Sequence, residues 1–386
     1  MMLSACKCVI LGFLLIANLA GLVQAAEANQ TSIGSSHIPE TVQNLGNNSS
    51  NITTIVHPGE SIQAAIQASL PGNIIEVQSG IYHENINVSK RLVIRGVDTG
   101  DGLPVVDAGG EGSAINITAD GVRLENLVVR NASRFGNDVF NAGIKITSRN
   151  CVITGSIAQY NFNGIALSNS DNNTLINNNV SYNGHGINLS SSTNNTFFGS
   201  NLVNNRYSGI HLALSNKNTI FNNQFRGIKS GEGIEFYESS NNTIFGNNLS
   251  SNDNGISLSE SDNNTLHGNN LSYNNDGLDF SMSDNNTLVG NNLSSNDNGI
   301  HLSESDSNAF LGNNLSRNSE GIDLLKSDNN TLLDNNLSNN TYTGISLYLS
   351  NKNTISNNLF QGMRYGMGVG IHLIESSNNT LLVQLG

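Results

Sequence analysis

The sequence predicts an all-β fold, a parallel β-helix: a solenoid of about 22 residues per coil with three strands in each coil and a capping α-helix at its N-terminal end. Three observations predict it. A glycine followed by Ile-x-Leu or a close variant returns eleven times, at Gly143, Gly164, Gly186, Gly209, Gly233, Gly255, Gly277, Gly299, Gly321, Gly344 and Gly370; five intervals are 22 residues and the others 21, 23, 23, 24 and 26. Counting from each glycine, apolar residues recur at offsets 1 and 3 (Ile256 and Leu258), 11 (Leu266) and 16 (Leu271). Asparagine recurs at offset 9, from Asn173 through Asn264 to Asn379.

Each element follows in chain order. Residues 1–26 read as a secretory signal: Lys7 gives a sparse positive start, Val9–Val23 is mostly apolar, and small residues at Ala25 and Ala26 suit cleavage. Cys6 and Cys8 leave with it, so Cys151 stands alone and is expected to be buried and inert, without a disulfide. Residues 27–52 are a polar linker rich in Asn, Ser and Thr. Residues 53–142 hold the cap helix, expected over Gly59–Leu70 with Ile62, Ala65, Ile66 and Ser69/Leu70 on one face, and irregular first coils. Their strands are expected at Ile74–Val77, Leu92–Ile94, Val105–Val106, Ile115–Ile117 and Leu124–Val129. Residues 143–386 are the regular repeats.

Apolar offsets 1 and 3 around a polar offset 2 are the alternation of a half-buried strand. Four buried side chains cannot by themselves offset the entropy of ordering a whole coil, so ladders between coils must hold the array. The offset-9 asparagines suit such a ladder, and the many N-glycosylation sequons arise from the same pattern. A leucine-rich repeat has a similar period but needs a Leu-x-x-Leu-x-Leu core, which is missing.

The array, with HPGESIQAAI at His57–Ile66 and GIYHEN at Gly80–Asn85, resembles the NosD-like branch of the pectate-lyase-like right-handed β-helix superfamily, whose repeats also occur in archaeal cell-surface proteins. The resemblance covers about residues 55–386. It implies right-handed winding, as the general crossover preference does, and a helix plugging the N-terminal end. It also implies copper-enzyme maturation, although eight His and five Met lie scattered without ligand spacing.

Composition narrows the function classes. Only 12% of the 386 residues are charged and the net charge is −13, which excludes a nucleic-acid-binding face. No second long apolar segment follows the signal, so no membrane span is expected in the mature chain. The open final coil suggests self-association.

Three patterns could carry chemistry. The offset-2 column places Asp279, His301 and Asp323 on consecutive coils, with the two carboxylates about 9–10 Å apart. These are the candidate catalytic residues if the protein is an enzyme; the alternative is a solvated face of alternating charges. Offset 7 carries Asp262, Asp284, Asp306 and Asp328, a candidate Ca²⁺ ridge or, alternatively, a series of Asx turns. Finally, the residues that lengthen some coils all precede the glycine. Tyr207–Thr219 matches Tyr342–Thr354, 135 residues on, and Arg226–Lys229 is echoed by Gln361–Arg364. Arg206, Tyr207, Arg226, Lys229, Tyr342, Arg364 and Tyr365 are therefore candidate ligand-binding residues, in two patches about 29 Å apart.

The expectation is an exported, secreted or cell-surface β-helix that binds a polysaccharide or cell-surface glycan without catalysis. It needs no cofactor, with Ca²⁺ possible and Cu implied only by the resemblance. The alternatives are a polysaccharide-active hydrolase or lyase, and a copper-enzyme maturation factor.

Overall fold

The computed structural model describes residues 52–133, 141–228, 230–362 and 368–382. The chain winds through about 14 turns of a parallel solenoid with three sheets. Sheet 1 has fifteen strands, from Thr53–Val56 to Thr380–Leu382; sheet 2 has thirteen, from Ile86–Val88 to Val369–Ile374; sheet 3 has nine, from Ile81–Tyr82 to Asn270–Ser272. Beyond Ser272, sheet 3 thins to single parallel bridges through Asn292, Asn314, Asn336 and Leu359. Each regular coil runs through sheet 2, sheet 1 and sheet 3 in that order.

Register follows the repeat. In sheet 2, Ile256 pairs with Leu278, Leu278 with Ile300, and Ile300 with Ile322. Offsets 1, 3, 11 and 16 point inward and form one continuous core; Ile256, Leu258, Leu266 and Leu271 are each fully buried. The glycine itself lies inside the sheet 2 strand and not in a turn. From Gly143 to Gly344, a Cβ would meet the carbonyl oxygen of the next coil's glycine at 2.4–2.8 Å. Only hydrogen fits, so close backbone approach fixes the residue that marks the period.

The ladders that the coils require run inside the corners, and there are four of them. Each offset-9 amide reaches back one coil. Asn195 Oδ1 accepts from the Asn173 N–H at 2.8 Å, and its Nδ2 donates to the Ser170 carbonyl at 3.0 Å. A serine column (Ser192, Ser215, Ser239) and two further asparagine columns, through Asn247 and Asn269 and through Asn183 and Asn205, do the same. Buried polar groups thereby complete the backbone hydrogen bonds that the corners leave open.

The cap helix α1 spans Ile62–Ala68, shorter than expected. Ser61 caps it, and the Glu84 carboxylate accepts from the N–H groups of Ile62 and Gln63 at 3.0 and 2.9 Å. Lys90 donates to the Gln67 and Ser69 carbonyls at its other end. Ile62 and Ile66 enter the core, but Leu70 lies beyond the helix and is 67% exposed. The expected strand Leu124–Val129 is two strands, Arg123–Glu125 and Val128–Arg130, because Asn126 turns the chain with φ 54°. Cys151 is fully buried, 3.3 Å from the Ser148 hydroxyl.

Candidate functional site

Sheet 2 has the longest strands, and two columns of side chains stand on its outer face: the residue before each glycine and the second residue after it. Toward the N-terminal end this face carries a groove of about 510 Å³ lined by Asn85, Asn87, Glu111, Ser113, Asn116 and Lys145. Asn87, Asn116 and Lys145 are successive members of the outward column.

Two to three coils on, the two columns form a grid. One column reads His185, Ser208, Glu232 and the other Asn188, His211, Glu235, each step being one coil. His211 Nδ1 lies 2.8 Å from Glu235 Oε2, and His185 Nδ1 lies 2.8 Å from the Ser208 hydroxyl. The two imidazoles are 5.6 Å apart, centroid to centroid. Tyr207 tilts over His185 at 5.2 Å, Phe162 meets His185 edge-on at 5.9 Å, and the Arg206 guanidinium sits 5.2 Å above the Tyr207 ring. The residues that lengthen these coils build this wall. Gly231 packs so closely on the Tyr207 backbone that a Cβ would stand 1.6 Å from its carbonyl oxygen.

The half-buried grid pulls its ionisable groups apart. Burial, reinforced by the neighbouring His211, lowers His185 to about 4, against the opposing field of Glu235. Burial pushes Glu232 up to about 7, with Glu235 and Asp253 adding to the rise. Burial also acts to raise Glu235, but the hydrogen bond and charge of His211, with His185 beyond, hold it below the ordinary carboxylate range. Near neutral pH the grid therefore offers a neutral imidazole, a carboxyl that can give a proton and a carboxylate that can take one.

Asp279, His301 and Asp323 do stand on consecutive coils, as the spacing predicts. His301 Nδ1 is 3.1 Å from Asp323 Oδ2, and that hydrogen bond raises the imidazole above its ordinary value against the effect of burial. Burial raises Asp279 too, with His301 opposing and Asp276 reinforcing.

The two tyrosine patches share a backbone. Tyr207 N–H donates to the Gly184 carbonyl and Tyr342 N–H to that of Ser319, while their own carbonyls accept from Glu232 and Val369. Their surroundings differ, because the coil before Tyr207 brings His185 and the coil before Tyr342 brings Glu320. Arg226 is exposed and ends a strand of sheet 3, across a corner from Tyr207. Lys229, Arg364 and Tyr365 lie outside the described residues.

Along the aspartate ridge, the backbone N–H groups of Asp284, Asp306 and Asp328 donate to the carboxylates of Asp262, Asp284 and Asp306 at 2.7, 2.6 and 2.6 Å. One oxygen of each of these carboxylates is thus committed to the next coil. Among the described residues, no group of three or more His, Cys, Asp or Glu could hold a metal ion. No described helix is long and apolar enough to cross a membrane.

Sequence reasoning sets His185 aside, because Gly184-His185-Gly186 lacks the Asn-Thr-Asp and Asp-Asp motifs that would accompany it in a pectin-degrading β-helix hydrolase, and it does not single out Glu232. The signal was available: in the column before the glycine, otherwise uncharged, the residues His185, Glu232, Asp276 and Glu320 stand out. It also passed over Tyr160 and Tyr182, exposed and stacked at 5.7 Å on the corner that leads into this part of sheet 2.

Solved structures with this architecture come from proteins of several kinds. The A-module of the Azotobacter vinelandii mannuronan C-5 epimerase AlgE6 superposes with a TM-score of 0.53 at 16% identity, over 84% of this chain and 95% of that one. The Dettilon tailspike protein gives 0.56 at 15%, over 83% and 68%. Tailspike protein 3 of bacteriophage CBA120 gives 0.65 at 12%, over 84% of this chain and 58% of its own length. At such identities the likeness is one of fold. No curated protein matches in sequence. The description "Right handed beta helix region" matches residues 108–271 and 232–384, and the chain belongs to that right-handed β-helix family.

Proposed function

We propose that this is an exported, cell-surface or secreted, polysaccharide-binding β-helix that holds a glycan along the outer face of sheet 2. The observation that carries this reading is the convergence of aromatic side chains and hydrogen-bonding groups on one stretch of one face. Tyr160 and Tyr182, exposed and stacked, stand on the corner that leads into this stretch, where Phe162 and Tyr207 meet at 6.3 Å next to the His185–Glu235 grid, on the face that also carries the Asn-lined groove. Sugar rings present an apolar C–H face and a rim of hydroxyls, and such an arrangement offers a partner for each. The occurrence of the fold in an epimerase of mannuronan supports the substrate class. Residues 1–26, outside the described residues, supply the export signal of this reading.

Glycan-array binding and affinity electrophoresis test it. Tyr182→Ala and Tyr207→Ala should each weaken binding by about tenfold, the effect of losing one stacking contact of 1–2 kcal/mol. Tyr342→Ala should weaken it less, since its patch lacks the His–Glu grid. Binding left intact by Tyr207→Ala combined with Tyr182→Ala would remove this face as the site.

A further inference from the structure

We infer that the corner between sheets 2 and 1 is a column of N-glycosylation sites, each an exposed asparagine that takes an oligosaccharide on its amide nitrogen. This rests on the export in the proposed function, because the modification belongs to exported chains. Seven of the ten coils from Gly164 onward carry Asn-Asn-Thr at offsets 8 to 10, with the first asparagine at Asn172, Asn194, Asn241, Asn263, Asn285, Asn329 and Asn378. The ladder explains the second asparagine alone. Asn264 is buried, its Oδ1 accepting from the Asn242 N–H at 2.8 Å and its Nδ2 donating to the Ser239 carbonyl at 3.1 Å. Asn263 beside it is exposed. Its N–H donates to the Asp284 carbonyl at 3.1 Å, while its side chain makes no hydrogen bond among the described residues. The left-handed turn favours asparagine at this position without requiring it. Lys217, Ser307 and Lys352 fill it in the other three coils with φ of 57°, 59° and 58°, as Asn263 does with 57°. The coil with Ser307 in place of the asparagine also has Ala309 in place of the threonine.

The sequons of sheet 3 provide the contrast. Asn270, Asn292, Asn314 and Asn336 each open Asn-Leu-Ser. Their Nδ2 groups donate to the asparagine Oδ1 of the preceding coil at 2.9, 2.8, 2.9 and 3.1 Å, so the nitrogen that would carry sugar is spent on a ladder. At the corner that nitrogen is free. The threonine two residues on opens a sheet 1 strand, as Thr265 does, on the outer side of the buried Leu266. In the transfer, Nδ2 bonds to C1 of the first sugar as the C1–O bond to the phosphate of a lipid-phosphate-linked oligosaccharide breaks. The phosphate leaves with the bonding electron pair, and the amide gives one proton to a base of the membrane transferase that brings the donor. The acceptor corner follows sheet 2 in the coil, whereas the Tyr207 corner precedes it, so bulky, solubilising glycans stand on the edge away from that wall. The two coils that open with Tyr207 and Tyr342 hold Lys217 and Lys352 where an acceptor would be, and carry no sugar at this corner.

The test purifies the full chain from the cells that make it and from their medium, and maps its glycopeptides by mass spectrometry. The inference expects an exported chain with sugar on Asn263 and the other corner acceptors, and with Asn270, Asn292, Asn314 and Asn336 recovered bare. Produced in the same cells, Thr265→Ala should lose one glycan and Ser272→Ala none. Lys217→Asn should gain one, because Asn218 and Thr219 already complete the sequon and the backbone at 217 already has the acceptor's φ. An exported chain bare at the corner overturns the inference and leaves export and the binding proposal standing. Sugar shared equally with the sheet 3 asparagines, or no added glycan in Lys217→Asn, overturns it as well. A chain confined to the cytoplasm overturns both the export and this inference.

Discussion

The outer face of sheet 2 carries two histidine–carboxylate pairs four coils apart, and they are built differently. His211–Glu235 sits where the coils are lengthened: Tyr207, Arg206 and Gly231 wall it, and His185 and Glu232 complete a grid. His301–Asp323 sits in uninterrupted 22-residue coils, with no inserted residues beside it. The contact is nearly the same, at 2.8 and 3.1 Å, yet the outcome is not. Around the first pair, burial lowers His185 to about 4 and pushes Glu232 up to about 7. Around the second, the hydrogen bond to Asp323 outweighs burial and, with the charges of Asp323, Asp279 and Asp276, favours the cationic imidazole. A solenoid supplies the pairing for nothing more than two residues at the same offset; the inserted residues supply the environment.

The comparison is broken most severely by filling the space under Tyr207. Gly231→Ala should destabilise the protein by about 3 kcal/mol or more and abolish glycan binding, because the new Cβ collides with backbone. The corresponding change beside the second pair, Ser319→Ala, should stay within about 0.5 kcal/mol. Equal melting temperatures for the two variants would show that the wall is not rigid.

Glu232→Gln sharpens the contrast through pH. Between its ordinary value of 4.5 and about 7, folded Glu232 keeps a proton that the unfolded chain has lost, so its contribution to stability falls as pH rises. His185, depressed to about 4 from 6.5, acts oppositely: the unfolded chain takes up its proton first, and stability falls as pH drops through that window. The two largely cancel from 4.5 to 6.5. Glu232→Gln should therefore stabilise the protein above pH 7 by about 1–3 kcal/mol and change little at pH 4. Thermal unfolding across pH checks this, and a variant equally offset at both ends would refute the raised carboxyl.

A third measurement reads the imidazoles directly. Histidine proton NMR should place His185 at about 4 and His301 above its ordinary 6.5. Asp323→Asn should lower His301 without moving His185. The smallest effect concerns the aspartate ridge: with Asp262, Asp284 and Asp306 each spending an oxygen on a backbone N–H, EDTA should leave the melting temperature unchanged. A fall would restore calcium as a ligand there.

The Gly-Ile-x-Leu period alone determined the coil length, the three strands, the inward columns and the consecutive placement of Asp279, His301 and Asp323. It could do so because parallel in-register stacking turns equal offsets into neighbours 4.8 Å apart. Offsets do not carry depth. That burial drives His185 down and Glu232 up, that the repeating glycine lies in a strand, and that Asn126 divides a run of apolar residues depend on what the adjacent coils place above and below each position. Burial and close backbone approach are properties of three coils together, so only the tertiary structure decided them.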